Sequence, residues 1–176
     1  MSILAARNQA EALIKMYGIK KAPVDVEALA KKLDVHVIYA ELDEGISGLL
    51  ITKPQPQSSC IAIRKSDPPV RQRFSIGHEL GHYCLGHQFV PGEHVHVDRG
   101  ILVSQRGRSA STGADAKERE ANNFSGSLLM PAALLRASVV KLNTDHLYDN
   151  HITRLAEEFN VSEQSMTIRL SVLKIL

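Results

Sequence analysis

The stretch RQRFSIGHELGHYCLGH, residues 71–87, decides how this sequence is read. Just upstream, Ser66-Asp67-Pro68-Pro69 offers an N-cap residue and then prolines where a helix tolerates them, which predicts a helix running through His87. Within it stands His78-Glu79-Leu80-Gly81-His82, an H-E-x-x-H pattern. Four residues make just over one helical turn, so both imidazoles project from one face. Nitrogens placed in this way can reach a single Zn²⁺ at about 2.0–2.1 Å. Glu79 lies about 100° further round, where it faces a metal-bound water rather than the ion. Water on zinc is strongly acidified, and a neighbouring carboxylate can complete its deprotonation during attack on a carbonyl. A shuffled chain of this composition would contain the pattern roughly 0.02 times, which weighs against two incidental surface histidines.

A third ligand sets the subclass. A metzincin continuation needs Gly at 85 and His at 88, but the chain has Leu85 and Gln88. On a continued helix His87 falls about 140° from His82 and leaves the shared face. His94 and His96 sit in a stretch without periodicity and stay open as donors. The strongest candidate is Glu118, in AKEREANNFSGSLL. Ala121, Asn122, Ser125 and Leu129 lie within about 60° of it, and small residues on that stripe would let two helices come close. The competing explanation of Glu118 is a carboxylate favoured by the helix macrodipole. Asn122, one turn on, suits a hydrogen bond to the second nitrogen of a ligating histidine. Glu120 points about 200° away and reads as a solvated charge.

Upstream, residues 3–17 carry Ile3, Leu4, Ala10, Leu13, Ile14 and Tyr17 at helical spacing, with Gly18 to end the helix. Asp25 can cap a second helix, VEALAKKL. The runs VHVIYA (35–40), SGLLITK (47–53) and SCIAIRK (59–65) predict a small three-stranded sheet. SGLLITK is its candidate edge for an extended peptide. Residues 88–114 predict a long loop. Pro131 starts a further helix, and HITRLAEEF and EQSMTIRLSVLKIL, the latter capped by Ser162, predict a closing pair. The expected fold class is α+β, with a core over 1–143 and a C-terminal helical segment over 144–176.

The 176 residues carry 21 Lys+Arg, 19 Asp+Glu and 8 His, for a formal charge of +2. That balance excludes a polycationic tail and a strongly acidic solvated chain. Five of the eight histidines, His78, His82, His87, His94 and His96, fall within 19 positions, which again points to metal. The N-terminus lacks a signal-peptide core, and SLLMPAALLRASVV is too short and too interrupted to span a bilayer. Cys60 and Cys84 form no C-x-x-C pair. Together these features predict a cytoplasmic protein.

RQRFSIGHELGHYCLGH followed by EREANNFSGSLLMP resembles the ImmA/IrrE family of zinc metallopeptidases. PVDVEALAKKLDVHVIYAEL with ISGLL, and the closing ITRLAEEFNVSEQSMTIRL, resemble the same family, so the likeness covers nearly the whole chain. It implies a zincin-like fold, with His78, His82 and Glu118 matching the metal ligands and Glu79 the catalytic carboxylate. It also implies proteolysis of a partner transcriptional repressor of the helix-turn-helix type. There are departures: Phe124-Ser125-Gly126-Ser127 stands where F-A-A-E is frequent, and Gly77 replaces a frequent Ala before the first histidine.

The expectation is therefore a zinc-dependent endopeptidase, with Glu79 taking a proton from water and passing it to the leaving amine. An oxyanion donor stays open among Tyr83, His87, His94, His96 and Arg99. DNA binding is a competing class, because ITRLAEEFNVSEQSMTIRL has a helix-turn-helix rhythm. Residues 144–176, however, set Arg154, Arg169 and Lys174 against five carboxylates, a net −2 and a poor phosphate footprint. A helical pair packing on the core or docking a partner protein fits better. Arg99, Arg106, Arg108 and Lys117 have no interleaved aromatic residues and read as a solvated loop face. A third reading, a zinc-bound module that binds its repressor or DNA without cutting, uses the same ligands.

Overall fold

The computed structural model describes residues 2–52, 58–87, 95–98, 113–144 and 146–176, with 95–98, 113 and 114 described by backbone alone. Helices α1 (Ile3–Met16) and α2 (Val26–Lys32) both begin on side-chain caps. Ser2 Oγ accepts from the Ala5 N–H at 3.2 Å, and Asp25 Oδ1 from the Ala28 N–H at 2.9 Å. Strands β1 (Val35–Ala40), β2 (Gly48–Ile51) and β3 (Ser59–Arg64) form the expected small sheet, and it is mixed. β3 lies in the middle, parallel to β1 and antiparallel to β2. A further strand, β4 (Val95–Asp98), pairs antiparallel to β2, with His96 opposite Leu50. It lies within the stretch expected as loop, and it takes the edge position expected of β2. Four residues between unpatterned flanks are too few to display alternation.

Helix α3 (Pro69–Cys84) lies against β2, β3 and helix α4 (Gly113–Leu129). Neither Ser66 nor Asp67 caps it. Pro68 is the N-cap residue, its carbonyl accepting from the Arg71 and Gln72 N–H groups, while Pro69 has no N–H to satisfy. Gln72 Nε2 donates to the Arg64 and Lys65 carbonyls, which pins the helix start to the end of β3. The helix also stops before His87. Gly86 adopts φ +64°, the His87 N–H reaches the His82 carbonyl at 3.0 Å, and the Gly86 N–H reaches that of Tyr83 at 3.2 Å. This is a Schellman stop, which favours glycine at the left-handed position.

Helices α5 (Ala132–Lys141), α6 (Asp149–Phe159) and α7 (Glu163–Val172) complete the chain. Leu155, Phe159, Met166 and Leu170 from the last pair belong to the same buried cluster as Ile61, Ile76, Leu80, Phe124 and Leu128. Arg169, almost fully buried, donates to the Met130 carbonyl and to Glu11, each at 2.9 Å, and so ties α7 to α1 and the end of α4. No helix among the described residues is long and apolar enough to cross a membrane.

Candidate metal centre

Two helices build the site, and glycine decides how closely they meet. A Cβ on Gly81 would lie 3.1 Å from Ala121 Cα, and one on Gly77 would lie 2.5 Å from Ser125 Oγ. The two departures noted in the sequence therefore face one another: volume gained at Ser125 occupies the space that an alanine at 77 would need. Ser125 Oγ also donates to the Phe74 carbonyl at 2.9 Å, bonding α4 to α3 directly. This approach carries Glu118 and Asn122 to the histidine face of α3.

His78 and His82 are each 1% exposed, and their Nε2 atoms face each other at 2.9 Å. Glu118 Oε2 lies 3.2 Å from His78 Nε2 and Glu118 Oε1 lies 3.5 Å from His82 Nε2, with the carboxylate at the half-exposed mouth. Ligands at about 2.05 Å on a tetrahedral ion stand about 3.3 Å apart, so the cluster is already near the spacing that an ion would impose. Among the described residues, His78, His82 and Glu118 form a group that could hold a metal. Two imidazoles and a carboxylate make a donor set suited to zinc, and a three-residue set keeps one coordination position open.

The far nitrogens are also engaged. His78 Nδ1 lies 2.9 Å from Asn122 Oδ1, and an amide oxygen can only accept, so Nδ1 carries the proton and Nε2 offers its lone pair inward. His82 Nδ1 lies 2.9 Å from His87 Nδ1, and His87 Nε2 lies 3.0 Å from Glu120 Oε2. Neither His87 nor Glu120 is where an uninterrupted helix and a simple wheel put them. The turn at Gly86 folds His87 back onto His82, and Glu120, only 4% exposed, is its buried partner rather than a solvated charge. Desolvation by burial pushes the His87 pKa down and outweighs the opposing pull of Glu120, which favours the neutral ring this chain of contacts requires. The L-G-H following a helical run was the sequence signal for this reversal.

Glu79 is fully buried on the neighbouring face, under the start of β2. A Cβ on Gly48 would come within 3.1 Å of Glu79 Oε1, so the strand backbone can approach the carboxylate only because position 48 has no side chain. Of the residues considered as further donors, Tyr83 turns away, its hydroxyl donating to the Leu33 carbonyl at 3.4 Å. His96 is placed by backbone alone, while His94, Arg99, Arg106 and Arg108 lie outside the described residues.

A mixed sheet laid over an H-E-x-x-H helix, with a carboxylate from the next long helix as the candidate third donor, defines a zincin-like fold of the metallopeptidase class. The family model described as Peptidase_M78, IrrE N-terminal-like domain, matches residues 30–171, and the chain belongs to that family. The fold is similar to the solved structure of a Mycobacterium tuberculosis transcriptional regulator, at 18% sequence identity and a TM-score of 0.66. That likeness covers 97% of this chain and 47% of the regulator, so this chain spans about half of that protein's length. Comparison with curated proteins found no match.

Proposed function

We propose that this protein is a zinc-dependent endopeptidase that cleaves a partner helix-turn-helix repressor. The observation that carries the reading is the convergence of His78, His82 and Glu118, each histidine fixed from behind, with Glu79 buried alongside. The two histidines and Glu118 would hold the ion. Zinc supplies, when bound, polarisation of the scissile carbonyl and acidification of water. Glu79 takes the proton from the attacking water and returns it to the leaving amine. Gly48 leaves room for that carboxylate beneath the sheet, and Asn122 holds His78 in its working tautomer.

The partner is a protein rather than nucleic acid, because the C-terminal pair is net acidic and spends its buried arginine on internal contacts. Membership in a peptidase family and the resemblance to anti-repressor metallopeptidases support the same substrate class. We take residues 1–143 as the catalytic core and 144–176 as a segment docked on it. A cytoplasmic location fits a substrate bound to DNA. The test is Glu79→Gln, which keeps about one zinc per chain yet loses cleavage of the repressor, read by mass spectrometry of the fragments. Cleavage at the wild-type rate would remove Glu79 as the base. A wild-type protein that binds its repressor and leaves it intact would favour the non-proteolytic module.

A further inference from the structure

A cavity of about 360 Å³ lies beside the metal cluster, where α3 and α4 meet α7. Two side-chain stripes connect it to the ligands. On α3, Phe74 and Arg71 continue the His82–His78 row towards the helix start, and on α4, Gly126 continues the Glu118–Asn122 row. Residues spaced by three or four share a face, so the cavity opens on the same side of the helix pair as the ligands. Asn122 belongs to both: it lines the cavity and bonds His78. One turn separates Phe74 from His78, about 6 Å of helix, which two residues of extended chain would span.

The chemistry of the walls selects the occupant. The principal polar side chains there already have partners: Arg71 bonds Ser47, Arg169 bonds Glu11 and the Met130 carbonyl, and Asn123 bonds Arg7. Ser127 Oγ, buried without a hydrogen-bond partner, and Gln164 add polar points to the lining, but most of the wall is apolar: Val70, Phe74, Met130, Val172 and Ile168, the last 58% exposed at the rim. A Cβ on Gly126 would meet nothing within 4 Å, so the absence of a side chain there leaves space in the cavity. We propose that this cavity receives a large apolar side chain, of the size of leucine or phenylalanine, from the substrate residue next to the bond that is cut. The inference rests on the peptidase reading and gives α7 a part in substrate choice.

Two series of peptide hydroxamates, extending from either side of the zinc-binding group and carrying leucine, phenylalanine or alanine beside it, test this by calorimetry on the zinc-loaded protein. In one series leucine or phenylalanine binds at least about tenfold tighter than alanine. Gly126→Leu, which fills the cavity from a helical position where leucine is favoured over glycine, brings that ratio close to one. Ile168→Ser, at the exposed rim, lowers it severalfold without entering the fold's core. Equal affinities in both series, or an unchanged ratio in Gly126→Leu, would overturn the proposal. Discrimination by a protein that cuts no peptide sinks the peptidase reading and leaves the pocket standing. Cleavage indifferent to the neighbouring side chain does the reverse.

Discussion

A ligand at His82 Nε2 fixes the protons behind it. With the lone pair directed at the ion, His82 Nδ1–H must donate to His87 Nδ1, and His87 Nε2–H must then donate to Glu120. Every bond in the row points one way, ending on a buried carboxylate that makes His82 a better donor. Glu120→Ala should therefore weaken zinc affinity about 10- to 100-fold in a chelator competition, with His87→Ala in the same range. Glu120→Gln, which keeps an accepting oxygen, should recover part of the loss. Equal zinc affinity in all three variants would reduce the row to packing. At this scale the sequence carried His78, Glu79, His82, Glu118 and Asn122 as candidates, since each follows from spacing along one helix. His87 and Glu120 were misplaced because both depend on where the helix stops.

The stop is a property of the element, as is the gap between helices. Helical periodicity runs on past Cys84, so only Gly86, with its left-handed φ of +64°, marks the end of α3. The helices, strands β1 to β3 and the capped starts of α2 and α7 were legible, because the helices repeat a pattern over several turns and the runs VHVIYA, SGLLITK and SCIAIRK span six or seven residues between turn signals. β4 was not, and the capping of α3 passed to Pro68 because the helix begins at Pro69, two positions beyond Asp67. The contact between Gly77 and Ser125 makes a separate prediction. Gly77→Ala places a methyl 2.5 Å from Ser125 Oγ and should destabilise the protein by about 1–3 kcal/mol in urea unfolding. Adding Ser125→Ala should return part of that loss, since the clash goes with the hydroxyl. Strict additivity of the two substitutions would mean that the helices do not meet there.

Over the whole molecule, the C-terminal pair shares one buried cluster with the helices and strands before it. Its helix–turn–helix outline was readable from the turn at Val161 and Ser162, and its packing was not, because the partners of Leu155, Met166 and Leu170 are distant in sequence. Arg169 carries the most testable of these contacts. Removing its guanidinium strands the Met130 carbonyl and leaves Glu11 only the Ala132 N–H, so Arg169→Ala should cost about 2–4 kcal/mol of stability. A shift below about 0.5 kcal/mol in urea unfolding would show that α7 is only loosely attached. Such looseness would also remove one wall of the cavity beside the ligands.

The central claim is that His78, His82 and Glu118 together hold one zinc ion. Zinc content after gel filtration, measured by plasma mass spectrometry on the wild type, Glu79→Gln and Glu118→Ala, tests it most directly. About one zinc per chain is expected in the first two and a large loss in the third. Full zinc retention in Glu118→Ala would contradict the ligand set, and would move the third donor to a residue such as His94 or His96.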